Sequence, residues 1–313
     1  MSTAAVLVAT APATLGASTV VSDRDTTEPE ATGLVKPSPI TVERTTLTLV
    51  DPSRATPSNG DYAGAPHRTL MTTVSYPARR GTPLPGPLPL VVFATGIGGD
   101  SLNYAPMYDH WVEAGYVVAA PTFPLSSKNA PGGETLSDLV NQPDDIRFVT
   151  TAVLKQGRTR KSPLVGLIDQ HRIALVGKSL GAITVFETAY ATADPDTRFR
   201  AVIALTGVVG GSGPHFTGID TPLLLEHGDA DTTVPHDGSV KAYAAAEPPK
   251  YFVTLLGQTH GSAFGGGATP AEQVVERTVV DFLDRYVQGQ RAARSRLLHD
   301  GDVPGVATIQ HQT

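Results

Sequence analysis

The chain has 313 residues, with 30 acidic side chains against 24 basic ones and a formal net charge of −6. That balance argues against a nucleic-acid partner, which needs a basic footprint. There is no cysteine, which excludes a disulfide framework, a thiolate metal or iron–sulfur site and a cysteine nucleophile, but a chain this long buries roughly 75% of its unfolded surface and needs no staples, so the compartment stays open.

Residues 1–39 are small, Thr- and Ala-rich and weakly patterned, and read as a flexible tail. Ala4–Leu15 resembles a thin leader core, with Leu15-Gly16-Ala17 before a candidate cut, but no basic residue precedes it. A secreted or extracytoplasmic protein is the expectation, with the cytoplasm as the alternative. No apolar run approaches the ~18 residues of a membrane-spanning helix, so stable membrane insertion is not expected.

From residue 40 the pattern becomes regular, and a single domain is expected over 40–288. Ile40–Val50 and Arg68–Tyr76 alternate as strands, and as a pair they form an antiparallel edge. Leu90–Ala94 and Tyr116–Ala120 are continuous apolar runs, as expected of strands covered on both faces. Between them, Leu102–Ala114 carries Met107, Trp111 and Val112 at helical spacing, and Asp144–Leu154 follows with Ile146, Val149 and Val153 on one face. Strands are then expected at Arg172–Val176, Ala201–Leu205, Pro222–Glu226 and Tyr251–Leu256, and helices at Leu180–Thr192, Ser239–Ala246 and Pro270–Val287. Buried strands alternating with crossover helices predict an α/β fold, with a mostly parallel central sheet and helices on both faces. Residues 289–313, basic at Arg291, Arg294 and Arg296 and then polar, read as a frayed C-terminal tail.

Gly177-Lys178-Ser179-Leu180-Gly181 lies where an apolar strand meets a helix. A G-x-S-x-G here suits an abrupt strand-to-helix turn that lifts one hydroxyl above the sheet. A serine hydroxyl needs a base within hydrogen-bond reach, and the base needs an orienting carboxylate. In such a sheet the partners follow in the order serine, acid, histidine. Asp231 in His227-Gly228-Asp229-Ala230-Asp231-Thr232-Thr233-Val234-Pro235 is the expected acid, with Asp229 as the competitor that caps the turn. His260 in Gly257-Gln258-Thr259-His260-Gly261 is the expected base. His227, His236 and His110 read as structural or exposed; His227, Asp229, Asp231 and His236 make a metal set only on paper.

Ester cleavage places negative charge on the carbonyl oxygen, which two backbone N–H groups can hold. Leu180, after the nucleophile, and Ile97, in Thr95-Gly96-Ile97-Gly98-Gly99, are the expected donors. Gly96 and Gly98 let the backbone approach substrate. Lys178 reads as a surface cation or as a group beside the pocket.

These motifs together resemble the α/β-hydrolase superfamily, in particular bacterial serine esterases similar to platelet-activating-factor acetylhydrolases, dienelactone-hydrolase-like enzymes and cutinase-like polyester hydrolases. The resemblance spans roughly Thr41–Val287. It implies a Ser179–His260–Asp231 triad, hydrolysis of carboxylic esters in small or polymeric substrates, and no cofactor. Family members usually carry His where Lys178 stands, and His where Thr95 stands. The only tryptophan, Trp111, reads as core, which weakens the polyester reading. Thr206–Thr221 leaves no room for a helical cap, so an open cleft for short- to medium-chain esters is expected. An amidase on the same triad and a hydrolase-like binding protein are the alternatives, and the oligomeric state stays open.

Overall fold

The computed structural model describes residues 38–190, 193–209 and 216–313. The leader reading, and the tail reading up to Pro37, lie outside these residues, as does the middle of Thr206–Thr221. The described residues begin at Ser38 and form one compact unit to Thr313.

The chain opens with β1 (Thr41–Asp51), β2 (Arg68–Arg79) and the short β3 (Thr82–Pro83), which is paired to β2. Next come β4 (Leu88–Ala94), α1 (Ala105–Glu113), β5 (Val117–Thr122), a 3-10 turn (Leu136–Asn141) and α2 (Gln142–Gln156). The second half holds β6 (Ile168–Lys178), α3 (Leu180–Ala189), β7 (Phe199–Leu205), β8 (Leu223–Gly228), α4 (Asp237–Ala245), β9 (Lys250–Leu255), α5 (Pro270–Tyr286), α6 (Ala293–Asp300) and β10 (Ala307–Gln312).

The strands form one sheet in the order β1-β2-β5-β4-β6-β7-β8-β9-β10. From β5 to β9 every neighbour is parallel, while β1, β2 and β10 pair antiparallel at the two edges. The parallel strands read as unbroken apolar runs because both faces are covered. Along β4, Val91 and Phe93 point to one side, where Trp111 of α1, Val275 and Phe282 of α5 and Leu297 of α6 pack. Leu90 and Val92 point to the other, against Ile146 and Val149 of α2 and Val185 of α3. No helix among the described residues is long and apolar enough to cross a membrane.

The segment 289–313 departs from the expected frayed tail. It forms α6 and then β10, which pairs with β9 over six residues. Leu297 and Ala307 are fully buried, and Arg296 bridges Asp281 (2.6 Å) and Asp284 (2.8 Å) of α5. Its polar composition hides the role because an edge strand and an outer helix each bury only a narrow stripe.

A buried ionic cluster fixes the loop between β5 and α2. Arg68 Nε donates to Asp145 Oδ1 (2.6 Å), and its Nη2 donates to Asp145 Oδ2 and Asp138 Oδ2 (2.7 Å each). Gln142 donates to Ser126 Oγ (2.8 Å) and accepts from Thr184 of α3 (2.5 Å). One wall of the cleft described below is thereby tied to β2, α2 and α3.

Candidate active site

Ser179 stands between β6 and α3 with φ 57° and ψ −118°, a left-handed conformation unusual for a residue with a side chain. The turn closes only because two neighbours are glycine. A Cβ on Gly177 would come within 2.1 Å of Gly181 O, and a Cβ on Gly181 within 2.0 Å of Ala94 O. Ser179 N–H donates to Leu205 O of β7 (2.9 Å), anchoring the strained residue to the neighbouring strand.

The loops after β8 and β9 bring the other two groups to it. Ala230 N–H donates to Gln258 O (3.1 Å), and Gly257 N–H donates to Asp229 Oδ1 (2.6 Å), so the two loops are laced together. Asp229 thus caps the turn. Asp231 Oδ2 lies 2.7 Å from His260 Nδ1, and His260 Nε2 lies 2.8 Å from Ser179 Oγ. Asp231 Oδ1 accepts the N–H groups of Thr233 and Val234 at 2.9 Å each. Burial pushes the Asp231 carboxyl up, but the Val234 amide, His260 and the Thr233 amide together outweigh it and hold the group below the usual carboxylate range. An ionised Asp231 accepts only, so His260 carries its proton on Nδ1 and presents Nε2 to the serine hydroxyl as an acceptor.

Ile97 sits on the loop after β4, and among the described residues its N–H has no partner. Leu180 opens α3, so its N–H has no acceptor one turn back. Gly96, Gly98 and Lys178, expected to face substrate, each meet protein groups around the elbow and its loop. Gly96 packs on the elbow, where a Cβ would meet Ser179 Cβ at 3.1 Å. Gly98 N–H donates to Ser126 O (2.8 Å), pinning the loop to the β5–α2 segment. Lys178 is only 4% exposed, neither on the surface nor at the cavity wall. Its ammonium lies over the rings of Tyr104 (5.5 Å) and Phe264 (5.7 Å). Burial pushes it down to about 8, against the pull of Asp231.

Beside Ser179 opens a cavity of about 240 Å³, walled by Ile97 and Leu180 on one side and by Leu136, Ile183, Val208 and Thr233–Val234 elsewhere. No charged side chain lines it. Leu136 opens the 3-10 turn and Val208 stands in a loop, neither with a periodic signal, so the sequence motifs do not mark them. Ile183 is four residues after Ser179 on α3, a spacing that places it over the same end of the helix. Among the described residues no group of three or more His, Asp or Glu is arranged to hold a metal ion.

No protein-family model matches the chain, and no curated protein matches its sequence. Among solved structures, a ferulic acid esterase from Streptomyces cinnamoneus is similar to it, with a TM-score of 0.62 and 22% identity over 80% of this chain and 91% of that one. The chain has the α/β-hydrolase fold.

Proposed function

We propose that the protein is a serine hydrolase that cleaves carboxylic esters through an acyl-enzyme. The observation that carries this reading is the unbroken hydrogen-bond chain from Ser179 Oγ through His260 to Asp231, at the mouth of an apolar cavity. His260 Nε2 takes the Ser179 proton as the oxygen attacks the ester carbonyl. The N–H groups of Ile97 and Leu180 receive the developing oxyanion. His260 then returns the proton to the leaving alkoxide, and repeats both roles for the water that releases the acid. Asp231 holds the tautomer and stabilises the imidazolium.

An uncharged cavity of this size favours an apolar acyl or aryl group of short to medium length, with the alcohol side left to the open rim. The fold shared with a ferulic acid esterase supports an ester as the scissile bond.

Ser179→Ala should lower p-nitrophenyl ester hydrolysis by at least about a thousandfold. Near wild-type turnover in that variant would end the proposal. Asp231→Asn should cost roughly 10⁴-fold by leaving the wrong histidine tautomer, and Asp229→Asn far less; the reverse order would reassign the acid. Matched ester and amide substrates separate the esterase from an amidase on the same residues.

A further inference from the structure

We propose that His227 is a positioning residue of this site, a second buried imidazole that shares the Asp231 carboxylate with His260. The inference rests on the serine-hydrolase reading. His227 is the penultimate residue of β8 and is fully buried. Its Nε2 lies 3.0 Å from Asp231 Oδ2 and 2.9 Å from Val234 O. Both are acceptors, so Nε2 carries a proton in every state of the ring. Its Nδ1 lies 2.7 Å from Ser239 Oγ of α4, which is itself 2.7 Å from Gly207 O.

One ring therefore joins three segments that border the serine. The acid loop is held at Asp231 and Val234, α4 at Ser239, and the strand-end segment at Gly207, next to the cavity residue Val208. His227 also completes the set of donors on Asp231. Oδ1 has two amides, and Oδ2 has two imidazoles. A carboxylate that shares its charge among four donors leaves less of it for the His260 proton.

The other groups around this pair are fixed independently. His236, at the start of α4, stands edge-on to His227 with centroids 5.5 Å apart, and stacks on Phe252. Asp229, held by Gly257 N–H, acts electrostatically on His236, and Lys178 of β6 acts on Asp231. None of them replaces the Nε2–H on Oδ2. Burial pushes the His227 imidazole down, against its hydrogen bonds to Val234 and Asp231, which favours the neutral ring, with the single Ser239 hydroxyl proton shared between Nδ1 and Gly207 O.

The test is the pH profile of kcat/KM for full-length His227→Leu and His227→Gln. Leucine removes the donor, so Asp231 pulls harder on the His260 proton. The acid limb should move to higher pH by about half a unit or more, with kcat/KM down about tenfold at neutral pH. Glutamine carries an amide N–H near the Nε2 position and should restore most of both. An acid limb in the leucine variant that coincides with wild type, or a glutamine variant as impaired as leucine, overturns the proposal. If the leucine variant does not fold, Ser239→Ala, which weakens the ring as a donor, should move the limb the same way by less, and an unmoved limb overturns it. A wild-type profile for these variants with Ser179→Ala inactive sinks only this inference, whereas an active Ser179→Ala sinks the hydrolase reading beneath it.

Discussion

Glu226 is a carboxyl group with almost no water. It is fully buried on β8, its Oε1 lies 2.5 Å from Thr278 Oγ1, and its Oε2 has no partner among the described residues. Thr278 donates to Glu226, and its hydroxyl also reaches Val274 O (2.7 Å). Burial pushes the carboxyl up to about 8, from 4.5 in the open chain, with the Thr278 contact opposing. The raised value sets the sign. Below pH 4.5 both folded and unfolded chains hold the proton, and the stability it contributes is fully present. Between pH 4.5 and about 8 the unfolded chain gives the proton up while the fold keeps it, so stability falls as pH rises. The loss across that window is on the order of 2–4 kcal/mol. Glu226→Gln keeps the shape and the bond to Thr278 and cannot titrate. Its melting temperature should drop less between pH 5 and pH 8 than that of the wild type, and equal drops would count against the neutral acid. At this scale the sequence was legible where motifs fix which side chains meet, as Ser179, Asp231 and His260 do. It was not legible where distant chain segments make the environment. Lys178 reads as a surface cation or a group beside the pocket until Tyr104 and Phe264 are known to meet it, and His227 reads as structural or exposed until Asp231 and Ser239 are seen on its ring.

The elements were more legible than their decoration. A strand covered on both faces must be apolar throughout, so β4 through β9 stand out as runs, and the faces of α2 and α5 repeat at helical spacing. The cleft wall between β5 and α2 does not, because a salt cluster and side-chain amides hold it rather than a periodic apolar face. The strand-to-helix turn joins both levels, since two glycines show in the sequence and their necessity shows only in the packing. Gly181→Ala would press a methyl into Ala94 O, which belongs to the central strand and cannot move cheaply. Relief requires the start of α3 to lift from β4, displacing Leu180 and Ser179 together. We expect a loss of about 3 kcal/mol or more in urea unfolding, with the proposed p-nitrophenyl ester hydrolysis falling in parallel. Gly261→Ala adds a methyl in open space and should change stability by less than about 0.5 kcal/mol. Similar losses for the two would show that the elbow tolerates a side chain.

Across the whole molecule, the sheet is closed at both ends by antiparallel strands, and the end that the sequence conceals is the one formed by β10. Ala307–Gln312 alternates polar residues because only one of its faces meets protein, and α6 contributes little more than Ala293 and Leu297 to the core. Pattern reading finds buried faces, so elements with one narrow buried stripe pass for loose chain. Their energetic weight is nevertheless large against a total stability of 5–15 kcal/mol. Ending the chain after Gln288 would uncover β9 along six residues, expose the surface that Leu297 and Ala307 cover, and remove Arg296 from Asp281 and Asp284. Burial already pushes Asp281 up to about 6, with Arg296 pulling the other way. The leucine alone is worth about 1.5–3 kcal/mol, and a bare β9 edge adds a template for strand pairing between molecules. The truncated protein should melt at least about 5 °C below the full chain and aggregate with a dependence on concentration, as read by calorimetry and light scattering. A truncation that melts with the full-length chain would mean that 289–313 is an appendage to a sheet that already stands at β9.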